Sequence, residues 1–117
     1  RRMANTFKVI TKAGVTSLDV IYTAAGSTTT VVLGLILGNT TTSQITSTVT
    51  LNTDTANRSG ANNEANQAVE LVTNAPIPAA SSLEMLAGNK VVLETTDEIK
   101  VSATGAVDVA LSVMEIT

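Results

Sequence analysis

A chain of 117 residues has room for one hydrophobic core, and because it contains no Cys, His or Trp, disulfide staples, imidazole catalysis and thiolate chemistry are excluded at the outset. The formal net charge is −3 and the four lysines, Lys8, Lys12, Lys90 and Lys100, are scattered singly among two aromatic residues; a phosphate-tracking surface needs clustered bases, and a single-strand binder needs stacking platforms. The longest apolar run, 31–37, falls far short of the roughly 20 residues of a membrane helix, so neither nucleic acid nor membrane is an expected partner.

Thr is the commonest residue, and a chain rich in Thr and Val with little Glu or Lys favours pleated, half-buried surfaces over helices. Residues 1–5 read as an N-terminal arm. Met3-Ala4-Asn5 looks like a start, Arg1-Arg2 stand before it, and no apolar stretch of the kind a secretory signal needs follows them. Strands are predicted at 7–11 and 18–23, closed by the turns Ala13-Gly14 and Ala25-Gly26. Residues 28–37 are apolar on both faces from Val31 onward, which predicts a central strand, either covered on both sides or meeting a partner with its outer face. Within it, Gly34 marks a bulge, a close backbone approach or a simple bend, and Gly38-Asn39 turns the chain out. Ile45, Ser47, Val49 and Leu51 then alternate with Thr46, Thr48, Thr50 and Asn52, giving a strand whose outward face is hydroxyl and amide.

Residues 52–67 break the pattern with Asn, Asp, Ser, Gly and Ala and no apolar period, so they read as a long polar loop. Loops of this length are binding segments or simple surface excursions; here Asp54, Asn57, Arg58, Asn62, Asn63 and Glu64 are the candidate partner contacts. Shorter strands follow at 68–73, 82–86, 91–94 and 98–103. They are separated by Asn74 to Pro78, Gly88-Asn89 and Thr96-Asp97, and the last is closed by Thr104-Gly105. The last strand is the clearest: Val107, Val109, Leu111 and Val113 alternate with Asp108, Ala110, Ser112 and Met114. Nine short strands between turn signals make 6–117 a single all-β domain, an antiparallel β-sandwich with the jelly roll as one form of it.

Chemistry is sparse. Acid–base work would fall to ten carboxylates, the lysines and Tyr22. Asp97-Glu98 are adjacent, so on a strand or turn they point apart and read as solvated turn charge. Metal binding reduces to oxygen ligands, for which Asp54, Asn57, Asn62, Asn63 and Glu64 are the best supply, yet the spacing of a calcium loop is missing. No phosphate-cradling glycine loop is present, and the glycosylation patterns at Asn39 and Asn57 are the chance yield of a Thr-rich chain. No cofactor, no metal and no enzymatic activity are expected. What remains is surface: Val32, Ile36, Val72, Met114 and Ile116 lie on faces opposite the main alternating set, forming either a second buried layer or an oligomer interface.

Whole phrases of the chain carry a resemblance. They are Met3-Ala4-Asn5-Thr6-Phe7-Lys8, Tyr22-Thr23-Ala24 with Thr28-Thr29-Thr30-Val31-Val32, Gly38-Asn39-Thr40, Asn74-Ala75-Pro76-Ile77-Pro78-Ala79 with Ser81-Ser82-Leu83-Glu84, Lys90-Val91-Val92-Leu93-Glu94, and the ending from Val107-Asp108-Val109 to Ile116. Together they resemble a family of short, Thr-rich virion structural proteins of tailed bacteriophages, in particular cyanophages and other marine phages. The resemblance implies a many-copy particle component with no active site. It further implies a decoration or cement protein on the capsid exterior, bound to the major capsid protein or other virion proteins as a homo-oligomer, with a trimer expected. A tail, neck or fibre component, with a glycan- or receptor-binding role as one form of it, is the alternative. The 52–67 segment departs from the shorter members of the family, which puts inherited contacts there in doubt.

Overall fold

The computed structural model describes residues 5–53, 67–85, 91–94 and 96–116. All nine expected strands form: β1 (Asn5–Val15), β2 (Asp19–Thr23), β3 (Thr29–Asn39), β4 (Ile45–Thr53), β5 (Gln67–Ile77), β6 (Ser82–Met85), β7 (Val91–Leu93), β8 (Glu98–Ala103) and β9 (Val107–Ile116). No helix occurs among the described residues. The strands make two antiparallel sheets, one in the order β1-β9-β3-β6 with β7 also on β3, the other β2-β8-β4-β5. We call them the first and second sheet.

The winding follows from the pairings. β6 takes Leu35 to Gly38 of β3 and β7 takes Thr30 to Val32, both antiparallel and both on the side away from β9, so the two serve as one interrupted edge strand. Strands β1 to β4 then pair in turn with β9, β8, β7/β6 and β5, as in one long antiparallel ribbon whose tip is the β4–β5 hairpin. Rolling that ribbon brings β9 against β3 and β8 against β4, which is the jelly-roll form of the sandwich.

Period-two alternation supplies the core. Val107, Val109, Leu111 and Val113 of β9 and Leu35 and Leu37 of β3 face Val49 of β4 and Ile99 and Val101 of β8, all buried. Each such side chain stabilises the fold by about 1.5–3 kcal/mol relative to an exposed one. The β8–β9 turn closes over this core at Gly105, where a Cβ would lie 2.7 Å from Cγ2 of Ile45. Only glycine fits so close to a buried β-branched neighbour.

The expected turns at Ala13-Gly14 and Gly38-Asn39 lie inside β1 and β3, which run on to Val15 and Asn39, and three further expectations need correction. The pairing of β3 with β9 shifts between Val32 and Gly34, and a bulge adds a residue that reverses which parity points inward. Val32 is therefore a core residue and not an outward one, while Ile36 stays outside at 45% exposure. Asn74 to Pro78 is not a turn: β5 runs on to Ile77, which an edge strand allows because Pro76 need not donate to a further neighbour. Asn74 sits in the left-handed region at φ 50° where the strand bends. Finally, Asp97 is buried, not solvated. Its Oδ2 accepts the N–H of Glu94 at 3.0 Å and its carbonyl accepts that of Ala24 at 2.9 Å, so it ties the β7–β8 turn to the chain after β2.

Candidate functional site

The two sheets have opposite outer faces. On the second sheet, the outward series of β4 is Thr46, Thr48, Thr50 and Asn52, of which Thr50 is buried at 9% exposure, flanked by Glu98, Lys100 and Ser102 of β8, by Val20 of β2 and by Glu70 and Pro76 of β5. Hydroxyls, amides and charges predominate there over Val20 and Pro76, and Thr48 Oγ1 accepts the backbone N–H of Asn74 at 3.0 Å.

On the first sheet, cross-strand pairing builds an apolar row from Phe7 through Met114 and Val31 to Val92. A second row runs from Thr11 through Ala110 and Ile36 to Glu84. Directly opposed side chains on one face lie within contact distance, so each row is a continuous ridge. Between the ridges lie Val9, Ser112 and Gly34, which leave a depression. A Cβ on Gly34 would meet nothing within 4 Å, so the glycine serves the bulge and the hollow and not a close backbone approach. An open hollow of about 420 Å³ is lined by Thr11, Lys12, Ile36, Gly38, Asp108 and Ala110, and a smaller one of about 150 Å³ adjoins it at Leu33, Gly34, Glu84 and Ser112. Phe7 is 70% exposed and Val92 52%. No described residue packs over this face.

Of the apolar candidates read from the sequence, Ile36, Met114 and Ile116 share this face, the last two half-buried. Val32 is in the core, and Val72 lies half-buried on β5 of the other sheet. The polar candidates Asp54, Asn57, Arg58, Asn62, Asn63 and Glu64 lie outside the described residues. Their segment joins β4 to β5 at the ribbon tip, where the Gln67 N–H donates to Thr53 Oγ1 at 2.9 Å.

Sequence reasoning missed two polar clusters. At the inner end of β9, the Glu115 carboxylate accepts from Tyr22 Oη at 2.6 Å and from Lys8 Nζ at 2.9 Å, while Tyr22 Oη also lies 2.8 Å from Thr30 Oγ1. The Tyr22 hydrogen bond, then that from Lys8, hold the Glu115 carboxyl below the usual glutamate range. Burial, reinforced by Glu115, pushes the Tyr22 phenol up. The signal was Glu115 itself, a charge in phase with the inward set of β9. Both its oxygens are occupied, so the cluster locks β1, β2, β3 and β9 together. In the second cluster the Asn39 side-chain amide, 4% exposed, reaches the carbonyls of Ser43, Ile77 and Pro78 at 2.8, 3.0 and 3.1 Å, and its Oδ1 accepts from Thr41. That nitrogen stitches two loops and is buried away from any modifying enzyme.

Among the described residues no group of three acidic side chains could hold a metal ion, and no helix is long and apolar enough to cross a membrane. Comparison with known proteins finds no matching family model, no matching curated protein and no matching solved structure.

Proposed function

We propose that this chain is a non-enzymatic structural protein of a tailed-phage virion, a capsid decoration protein that docks the outer face of its first sheet onto the assembled shell. The observation that carries the reading is the uncovered apolar face of Phe7, Val31, Ile36, Val92 and Met114, set back to back with a face of hydroxyls. Contiguous apolar surface rimmed by polar groups marks an interaction site. Two further considerations support it: the resemblance read from the chain's phrases, and a winding that recurs in capsid domains, although the fold alone assigns no function.

The mechanism needs no chemistry. A protein that binds the assembled lattice and not the free subunits shifts the assembly equilibrium toward the shell, as any ligand of one state does. Net negative charge keeps the free protein soluble and separate until it docks. The hollow beside Asp108 and Lys12 supports a second reading, a tail or fibre component that seats a glycan there.

Labelled electron microscopy of particles carrying the chain separates the two. Label over the head, in a copy number that scales with shell subunits, is the expected result, with heat-induced shell rupture moved to lower temperature when the chain is removed. Label confined to the tail, or capture on a glycan array, overturns the capsid reading.

A further inference from the structure

Sheet edges decide which proteins self-associate, because an unpaired strand offers its N–H and C=O groups to any similar strand. The described strands leave four edges, and three of them are spoiled for pairing. β2 is five residues long with a register shift between Val20 and Tyr22. β5 carries Pro76, Asn74 in the left-handed region and two register shifts. The β6/β7 edge is two pieces of four and three residues. The fourth, β1, holds unbroken register from Asn5 to Lys12 against β9.

β1 also carries apolar side chains where an edge strand has no use for them. Phe7 is 70% and Val9 63% exposed, and Leu18 and Val20, beside β1 on the neighbouring edge, are 58% and 38% exposed. Each lysine of β1 holds one carboxylate at 2.9 Å, Lys8 that of Glu115 and Lys12 that of Asp19, and both side chains stay about half exposed, so their charge still bears on any strand set beside β1.

We infer that β1 is a self-association edge, and that two copies of this chain pair their β1 strands antiparallel about a two-fold axis at Val9. Directly paired residues must share a face, so the axis falls on a residue; overlap of the unbroken 5–12 segment is greatest when that residue is Lys8 or Val9, the whole of β1 centres on Ile10, and charge chooses among these three. Centred on Val9, Lys8 sits opposite Ile10 of the second copy, Lys12 opposite Thr6, and Phe7 opposite Thr11. Moving the centre one residue back sets Lys8 against itself; moving it one forward sets Lys8 against Lys12. Like charges directly opposite are destabilising. In the Val9 register the Phe7–Val9 side of both outer faces runs on across the axis, so two apolar faces become one. This inference is independent of what that face docks onto, and it makes the free unit a dimer instead of the expected trimer.

The test uses the absence of native cysteine. Paired residues across an antiparallel ladder have Cα atoms about 4.5–5.5 Å apart, inside the range of about 4.4–6.8 Å for a disulfide. Val9→Cys therefore oxidises to a covalent dimer. In Thr11→Cys the two sulfur-bearing residues lie about 14 Å apart, four residues along the strand, and stay unlinked. Sedimentation of the unmodified chain gives the dimer mass, and Val9→Lys gives a monomer with unchanged circular dichroism and melting temperature. A monomer at every concentration, a trimer mass, or equal cross-linking of the two cysteine variants overturns the inference.

Discussion

The two outer faces of this sandwich are built on the same pleat and differ only in what the outward parity carries. On the second sheet, Thr46, Thr48 and Asn52 put polar groups on the outward side of β4, so water is a sufficient partner. On the first, Val31, Ile36, Ala110 and Met114 put apolar groups at the equivalent places of β3 and β9, with Gly34 and Ser112 hollowing the middle. A shared core tolerates either choice, because neither face contributes to it. The difference shows that outward alternation is free for function once inward alternation has secured the fold.

The comparison is broken most severely from the inside. Leu111→Asp places an unpaired carboxylate at a position with 0% exposure between the sheets, and a loss above about 4 kcal/mol is expected. Against a stability of about 5–15 kcal/mol that is the largest loss any single change here produces, read by circular dichroism as a collapse of the melting temperature or of the folded spectrum itself. Gly105→Ala is next: its methyl would press on Ile45 Cγ2, and overpacking of this kind costs about 1–3 kcal/mol, read as a lowered melting temperature. Ile36→Lys sharpens the contrast, because at 45% exposure and directly opposite Glu84 it should cost no more than about 0.5 kcal/mol of stability yet abolish co-sedimentation with shells. Unimpaired binding by that variant would place the docking surface elsewhere.

Strand number, strand order along the chain and the inward set of β9 were legible because two-residue alternation is a local property, whereas β1 and β5 run four residues past their expected ends. What was not legible depended on pairing. No local signal shows that the residue gained at the β3 bulge would send Val32 inward and Ile36 outward, since a bulge is defined against its partner strand. Pro76 looked like a turn because its tolerance comes from β5 lying at an edge. Asn39 and the Tyr22–Glu115 pair join residues 38 and 93 positions apart, and only the rolled ribbon brings them together.

The Tyr22 cluster tests the lock between the sheets at moderate cost. Tyr22→Phe removes one hydrogen bond to a charged group, worth about 1.5–3 kcal/mol, and the half-exposed Lys8 partner keeps the loss toward the lower end. Because the Glu115 carboxyl is held below its ordinary 4.5 in the fold, its contribution is complete above that pH and fades as pH falls through the depressed value. The Tyr22 phenol is raised, so its contribution is complete below its ordinary 10.0 and fades as pH rises beyond it. A chemical-denaturation series from pH 7 down to pH 3 should therefore show a steeper acid loss in the unmodified chain than in Tyr22→Phe. Parallel curves would mean the pair contributes nothing to stability.

The smallest effect belongs to the polar face. Thr48 is half-buried and its hydroxyl accepts the Asn74 N–H at 3.0 Å; in Thr48→Asp a carboxylate oxygen can take the same N–H, so the bent part of β5 keeps its tie. The change should lie within about 0.5 kcal/mol, with dimer mass and shell binding both retained. Thr48→Val, nearly the same in shape but with no acceptor, leaves that N–H to water and should be the worse of the two by a few tenths of a kcal/mol. If the charged variant is the worse one, the second sheet's outer face is not simply solvated, and it too has a neighbour.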